Sequence, residues 1–507
     1  MASLFVHVMS RVRRESGILR RRRNNIVIGK RFTPWAIRGK VVGHGYDSGI
    51  LLHRAAAAGD VPELTTPAAR ADERCTKVAI MISNVASRVV SRVSHLGVRA
   101  RDARAVATDL VTKYRFHVTG ARAARQAGST GMGVCRQWAL RQGDAAFIIS
   151  DINSEESVPN AYPEDGEEGL LYDALTPHTS LTGSVSNIAL EVCAGVDLCS
   201  LVRSLENSGV RVLVQPRAAS ATQPDVRYAV VASCVGGVRH TLLSRPPPHP
   251  PTAALPGFTS TPEWAHIQRP AGEDHLSHVD HVTLACAHGS SRDAMAWYTT
   301  HLGFQRTPIN KEDTEHGGFV LDGGGVGLKL RAIDLGVGAA QEGRGFKMVL
   351  SESLPGHGPN QVDAFLETQG GPGVQHVGLH TADIARCARA LSDSGVAFYS
   401  PPPAYYSHLS GVDFSGLDMD PLKSHGILID SSEPYNDNNH TATTLSSRYL
   451  LQVFCLPLFG PDSCFLELIS RHGNRGFGEG NIRALWRSVE LSRTVATSST
   501  AASSATA

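Results

Sequence analysis

Val279-Asp280-His281-Val282-Thr283-Leu284 and, 186 residues earlier, Val93-Ser94-His95-Leu96-Gly97-Val98 are two versions of one segment, and the fold follows from that duplication. Further along, Leu205-Glu206-Asn207-Ser208-Gly209-Val210 is matched by Leu391-Ser392-Asp393-Ser394-Gly395-Val396, again at an interval of 186, which Pro216 and Pro402 keep. Between them Ser186-Asn187-Ile188-Ala189-Leu190 lines up with Gln375-His376-Val377-Gly378-Leu379 at an interval of 189. One such match is chance; nearly constant intervals at three places are a duplicated unit.

Each copy reads as a strand, a helix and then several strands. His281 opens an alternating run, with Val282 and Leu284 on one face and His281 and Thr283 on the other. A helix follows, opened by Ser290 or Ser291, with Met295, Tyr298 and Leu302 on one stripe and Gly303 as its stop. A second helix, 381–394, carries Ile384, Ala388 and Leu391 and ends at Gly395; its partner carries Leu198, Leu201 and Leu205 and ends at Gly209. Arg245-Pro246-Pro247-Pro248-His249-Pro250-Pro251 is a stiff connector between the copies. Domains are therefore expected at 90–245 and 276–490, joined by a Pro-rich linker over 246–275.

With 507 residues, 42% of them apolar, the chain can bury cores in two or three domains. No stretch of ~18 uninterrupted apolar residues argues for a membrane-spanning helix. The net charge of +2 hides an asymmetry: residues 1–45 hold eleven Lys or Arg against the single acid Glu15. The remainder then carries 38 basic and 46 acidic residues, a net of −8, which disfavours nucleic acid as a partner. The nine cysteines are scattered with no CxxC, so neither a disulfide framework nor a zinc knuckle is indicated. The arm 1–45, with Arg20 to Arg23 preceded by Leu4, Phe5, Val8 and Met9, has the composition of a mitochondrial presequence; a nuclear-type basic run and a misplaced start are the alternatives. Residues 46–89 read as spacer and the Ser/Thr/Ala-rich tail, 491–507, as disordered.

Three residues of the second copy can meet on the inner face of a curled sheet: His281, His376 and Glu467. Glu467 lies alone in the apolar strand Cys464-Phe465-Leu466-Glu467-Leu468-Ile469, where a carboxylate is costly unless paired or bound to metal. An edge strand with Glu467 facing solvent is the plain alternative. Two imidazoles and a carboxylate on one face of a cation leave three positions open, the pattern of nonheme Fe(II) oxygenases. The first copy has His95, Asn187 and, by matching Thr241-Leu242-Leu243-Ser244-Arg245 to Glu467-Leu468-Ile469-Ser470-Arg471, Thr241. That set cannot hold iron, so the first domain is expected to be structural or regulatory. Gly476-x-Gly478-x-Gly480 touches a dinucleotide motif but lacks its third glycine spacing and its βαβ context.

Val279-Asp280-His281, Gly370-Gly371-Pro372-Gly373-Val374-Gln375-His376, Ala404-Tyr405-Tyr406, Tyr449-Leu450-Leu451-Gln452-Val453-Phe454, Phe465-Leu466-Glu467 and Gly476-Phe477-Gly478-Glu479-Gly480-Asn481 resemble, in order and spacing, the motif series of the 4-hydroxyphenylpyruvate dioxygenase family. The resemblance covers roughly residues 90–490 and is closest to the family's animal dioxygenase-like branch, through His281 to Cys286, Gly370 to Leu379, Asn481 to Trp486 and Leu255-Pro256-Gly257-Phe258. It implies an α+β fold of two vicinal-oxygen-chelate domains, each of paired βαβββ modules forming a curled, half-open barrel, and by analogy with relatives a homodimer. It implies Fe(II) on His281, His376 and Glu467. It also implies a substrate pocket of Gln361, Gln375, Gln452, Phe454, Phe477 and Asn481. Two positions depart from the ring-hydroxylating members. Ile482 stands where they have Phe, as an aliphatic residue does in hydroxymandelate-forming members, and Ser351 stands where they have a substrate-reading Asn.

The resemblance therefore implies an oxygenase acting on 4-hydroxyphenylpyruvate and O2, with the substrate's own 2-oxo acid as co-reductant. A smaller Ile482 wall lets the ring turn and present its benzylic carbon, so the expected products are 4-hydroxymandelate and CO2. Homogentisate formation and a metal-binding relative without turnover are the alternatives. Glyoxalase-type isomerisation is disfavoured because no fourth protein ligand is evident.

Overall fold

The computed structural model describes residues 88–482 apart from 126–133, 152–169, 175–182, 247–254, 268–274, 324–325, 336–344, 403, 409–416, 431–447 and 475. The basic arm, nearly all of the spacer and the tail lie outside the described residues.

The duplication is visible as two mixed sheets with the same strand plan. In the first, β1 (Val90–Ala100), α1 (Ala103–Thr112), β2 (His117–Arg125), β3 (Val134–Gln142) and β4 (Ala145–Asp151) form one βαβββ module. The next is β5 (Gly183–Val192), α2 (Leu198–Asn207), β6 (Val212–Ser220), β7 (Gln223–Ala232) and β8 (Arg239–Ser244). Their order across the sheet is β2-β3-β4-β1-β5-β8-β7-β6. The second sheet begins with β9 (His278–Ala285), α3 (Ser291–Leu302), β10 (Gln305–Thr307), β11 (Phe319–Gly323), β12 (Val326–Asp334) and β13 (Lys347–Ser353). After α4 (Gln361–Gln369) come β14 (Gly373–His380), α5 (Ile384–Asp393), α6 (Ala404–His408), α7 (Met419–Ser424), β15 (Leu428–Asp430), β16 (Tyr449–Phe454) and β17 (Phe465–His472). Its order is β10-β12-β13-β9-β14-β17-β16-β15, with β11 also on β12. This is the expected pair of curled sheets.

The equivalences read from the sequence are register-true. His95 pairs opposite Ala189 and Gly97 opposite Asn187, as His281 pairs opposite Gly378 and Thr283 opposite His376. Leu190 pairs with Leu242 and Leu379 with Leu468, which fixes Thr241 as the counterpart of Glu467.

One face of each sheet carries the helices. Leu96, Ile188 and Leu242 of the first sheet and Val282, Val377 and Leu466 of the second join Leu110, Val202, Tyr298 and Leu391 in one continuous core. Burial of this extent is the main stabilising term, at ~25 cal/mol per Å². The helix stripes differ from expectation by one residue: α3 buries Ala294, Tyr298 and Leu302 while Met295 is half-buried, and α2 buries Val202 rather than Leu201. In both, the spacing i+4 wins over i+3, which periodicity in so short a helix does not separate. The opposite faces hold separate clusters. Phe319, Leu330, Val349, Val362, Phe365, Phe477 and Ile482 form one, and Tyr405, Leu428, Phe454 and Phe465 another. The candidate site lies with them. Among the described residues no helix is long and apolar enough to cross a membrane.

Candidate metal centre

Strand register brings the three donors together. Gly378 on β14 is flanked by His281 on β9 and by Glu467 on β17, and His376 lies two residues back on the same strand. Because residue 378 is glycine, the His281 ring leans over the strand into space that a Cβ would occupy. β17 is an interior strand, so Glu467 does not face solvent: it is 2% exposed, with His281 at 5% and His376 at 6%. Both imidazoles aim at one carboxylate oxygen. Glu467 Oε2 is 3.5 Å from His281 Nε2 and 3.6 Å from His376 Nε2, and the donor atoms all lie within 4.8 Å of one another. The two rings stand nearly perpendicular, 87° apart, so their lone pairs enter from different directions.

Electrostatics favour a cation here. Burial opposes protonation of His281, but the Glu467 carboxylate and Asp280 outweigh it and hold the imidazole up at about 9. Burial, with His281 charged beside it, pushes His376 well below its usual value. A buried carboxylate facing the Nε2 atoms of two imidazoles is a donor set that suits one divalent ion of the iron or zinc type. His376 stacks on Phe465 at 4.9 Å, which fixes its ring.

The sequence-expected pocket residues are all buried in the same half of the chain. Asn360 caps α4 through a reciprocal box with Asp363, which puts Gln361 at the helix start, 2% exposed, its Oε1 without a hydrogen-bond partner among the described residues. Gln375 Nε2 donates to the Gln361 carbonyl at 3.4 Å. Gln452 is fully buried on β16, with Gly478 (φ 74°) packed so closely on its amide that only glycine fits. Phe454 packs edge-on to Phe465 at 6.1 Å, and Phe477 and Ile482 share one apolar wall. Asn481 Oδ1 accepts from the Tyr405 hydroxyl at 2.7 Å, and among the described residues its Nδ2 has no hydrogen-bond partner. The Ser351 hydroxyl donates to the Leu284 carbonyl at 3.2 Å.

Four residues of the site escape a reading by motif role. Asp280 accepts from His281 Nδ1 at 2.9 Å, Gly378 makes room for the ring, Tyr405 orients Asn481, and Arg471 pairs with Asp280. All four lie inside segments singled out in the sequence, and only for Asp280, next to His281, does adjacency itself signal a role.

Residues 278–414 match the model of the Glyoxalase/Bleomycin resistance protein/Dioxygenase superfamily. The chain is 35% identical over 406 residues to the 4-hydroxyphenylpyruvate dioxygenase-like protein of Rattus norvegicus, covering 79% of this chain and 96% of that protein. The chain belongs to the 4-hydroxyphenylpyruvate dioxygenase family. It is also 28% identical to the 4-hydroxyphenylpyruvate dioxygenase of Aspergillus fumigatus, over 77% of this chain and 89% of that one. A triple mutant of 4-hydroxymandelate synthase from Streptomyces coelicolor superposes with a TM-score of 0.57 at 25% identity, over 80% of this chain and 99% of that one. Membership accounts for the two-domain vicinal-oxygen-chelate fold. His281, His376 and Glu467 form a group whose ligand atoms could hold one metal ion.

Proposed function

We propose that the chain is a nonheme Fe(II) dioxygenase that converts 4-hydroxyphenylpyruvate and O2 to 4-hydroxymandelate and CO2. The observation that carries this reading is the convergence of two imidazole nitrogens on one oxygen of a buried carboxylate, in the half whose second apolar cluster includes Ile482. A ferrous ion held by His281, His376 and Glu467 would supply O2 activation and a seat for the 2-oxo acid. The chain's own residues do the rest. Phe454, Phe477 and the strands around them exclude water, and the amides of Gln361, Gln375, Gln452 and Asn481 offer directional hydrogen bonds to the substrate's polar ends. Tyr405 fixes which way Asn481 faces by donating to its Oδ1.

4-Hydroxymandelate and homogentisate have the same formula, so the product reports which carbon takes the oxygen: the benzylic carbon, or the ring carbon bearing the side chain, which then shifts to its neighbour. Ile482 is 2% exposed and packs with Phe477, so it is a fixed part of that cluster. A branched aliphatic in place of a flat ring changes the wall by several carbons, each worth ~0.8 kcal/mol. The test is product analysis with iron, ascorbate and 4-hydroxyphenylpyruvate. Hydroxymandelate is expected from the wild type, with a shift of several-fold toward homogentisate in Ile482→Phe. Homogentisate as the sole wild-type product rejects the role given to Ile482. A second reading, a metal-binding protein without turnover, draws on Ser351, whose hydroxyl is already spent on a neighbouring carbonyl. Absence of any product from iron-loaded protein favours it. On the composition of the arm 1–45 we propose a mitochondrial address, tested by fusing that arm to a fluorescent protein.

A further inference from the structure

Asp280 is fully buried, and it faces three groups. Its Oδ1 accepts from His281 Nδ1 at 2.9 Å. The Arg471 guanidinium grips it in a fork, Nε to Oδ2 at 2.7 Å and Nη2 to Oδ1 at 2.7 Å. Lys347 Nζ adds a second positive charge 3.9 Å from Oδ2. The remaining Arg471 nitrogen, Nη1, donates to the Gly476 carbonyl at 2.6 Å and reaches that of Asn474 at 3.4 Å. One planar group thus touches both the anchor of His281 and the start of the turn that carries Phe477, Gly478 and Asn481.

The chemistry of these contacts is directional. A carboxylate at Nδ1 selects the imidazole tautomer whose Nε2 lone pair is free. A buried carboxylate keeps its charge and its orientation when an arginine fork holds both oxygens. The first domain supplies a comparison within the same chain. Arg245 occupies the place of Arg471, but Ser94 occupies that of Asp280, and Arg245 lies instead 3.7 Å from Glu191. The arginine is present in both halves, while the aspartate accompanies the complete donor set.

Resting on the reading of His281, His376 and Glu467 as a metal site, we propose that Arg471 and Asp280 are positioning residues. They fix His281 with Nε2 toward the metal and couple that ligand to the Gly476–Gly480 turn, so that metal binding orders the turn. The probe is Co(II) alone, titrated into the full chain by visible absorption, with amide hydrogen exchange read over 476–482. The wild type is expected to bind one Co(II) and to gain protection over that turn. Arg471→Gln and Asp280→Ser are expected to weaken Co(II) binding by ~10–100-fold and to abolish the metal-dependent protection. Exchange in β1 serves as the folding control. If Arg471→Gln does not fold, Arg471→Lys, which keeps the charge and removes the fork, carries the same readouts. Wild-type affinity in these variants, or protection of the turn that survives in them, overturns the coupling. Failure of the wild type to bind Co(II), or binding unchanged in Glu467→Ala, overturns the metal-site reading and the coupling with it.

Discussion

The two halves place a histidine at the same point of the same strand and do opposite things with it. His281 faces a carboxylate and is held up at about 9, whereas His95 is pushed down to about 3, by burial first and then by Arg245. In the first half, the space between the three equivalent positions is filled by the chain itself. The Tyr172 carbonyl accepts from Asn187 Nδ2 at 2.7 Å and from Thr241 Oγ1 at 2.5 Å, and Asn187 Nδ2 also donates to Thr241 Oγ1 at 2.8 Å. Tyr172 reaches that place in a left-handed conformation, φ 57°, which is strained for a non-glycine residue. It is held there by its neighbours: its hydroxyl donates to the Pro256 carbonyl at 3.1 Å, and the next residue, Asp173, accepts from Arg99 Nε at 3.1 Å. The difference teaches that the sheet preserves register and burial whatever the side chains do. With Asn187 and Thr241 in place of His376 and Glu467, the Tyr172 turn closes a hydrogen-bonded core at the place of the donor set.

The largest effect comes from writing the first half into the second. His376→Asn with Glu467→Thr should remove metal binding and any turnover outright, beyond the ~10–100-fold that changes around the ligands cost. The fold should survive, because the same pair, Asn187 and Thr241, is fully buried and mutually bonded in the first half. Co(II) titration beside a thermal melt checks this. Metal binding retained in the double variant would mean that the ion sits elsewhere.

A smaller effect is in the pH dependence, and its sign separates the halves. Metal-free His281 holds a proton up to about 9, and an entering ion must displace it, so Co(II) affinity should rise about tenfold per pH unit from 6.5 and level off towards 9. For the stability of the metal-free chain, a folded value above the unfolded 6.5 gives a contribution that is complete below 6.5 and lost as pH rises towards 9. His95 works the other way: its folded value lies below 6.5, so its contribution is complete above 6.5 and lost as pH falls towards 3. Affinity measured across pH 6.5 to 8, and nitrogen-resolved titration of the two histidines, decide the matter. A flat affinity profile contradicts the assignment for His281.

The contrast also marks what was readable beforehand. The duplication, the paired modules and the histidine and glutamate positions were legible because equal intervals survive divergence, and because a lone Glu467 in an apolar strand is a physical anomaly. The exchange of Gly378 for Ala189 was visible in the aligned segments too, yet its meaning needs the register that sets residue 378 beneath His281. The Arg471 fork on Asp280 joins residues 191 apart with no periodic signal between them. The Tyr172 turn was out of reach, since it depends on a backbone angle that tyrosine does not advertise.

The smallest expected effect on metal binding is the sharpest test of that last point. Asn187→His with Thr241→Glu restores both missing donors in the first half, next to His95, at positions the sheet holds in the same register as His376 and Glu467. Donor identity alone would then give a second ion. Two obstacles remain. The Tyr172 carbonyl occupies the point on which the donors converge, and Ala189 stands where Gly378 gives the His281 ring its room. A new carboxylate buried there without a cation is costly, by several kcal/mol. The variant should therefore melt below the wild type and still bind one Co(II) per chain. Two Co(II) per chain would show that the turn yields to an ion, and that side-chain identity alone separates the two halves.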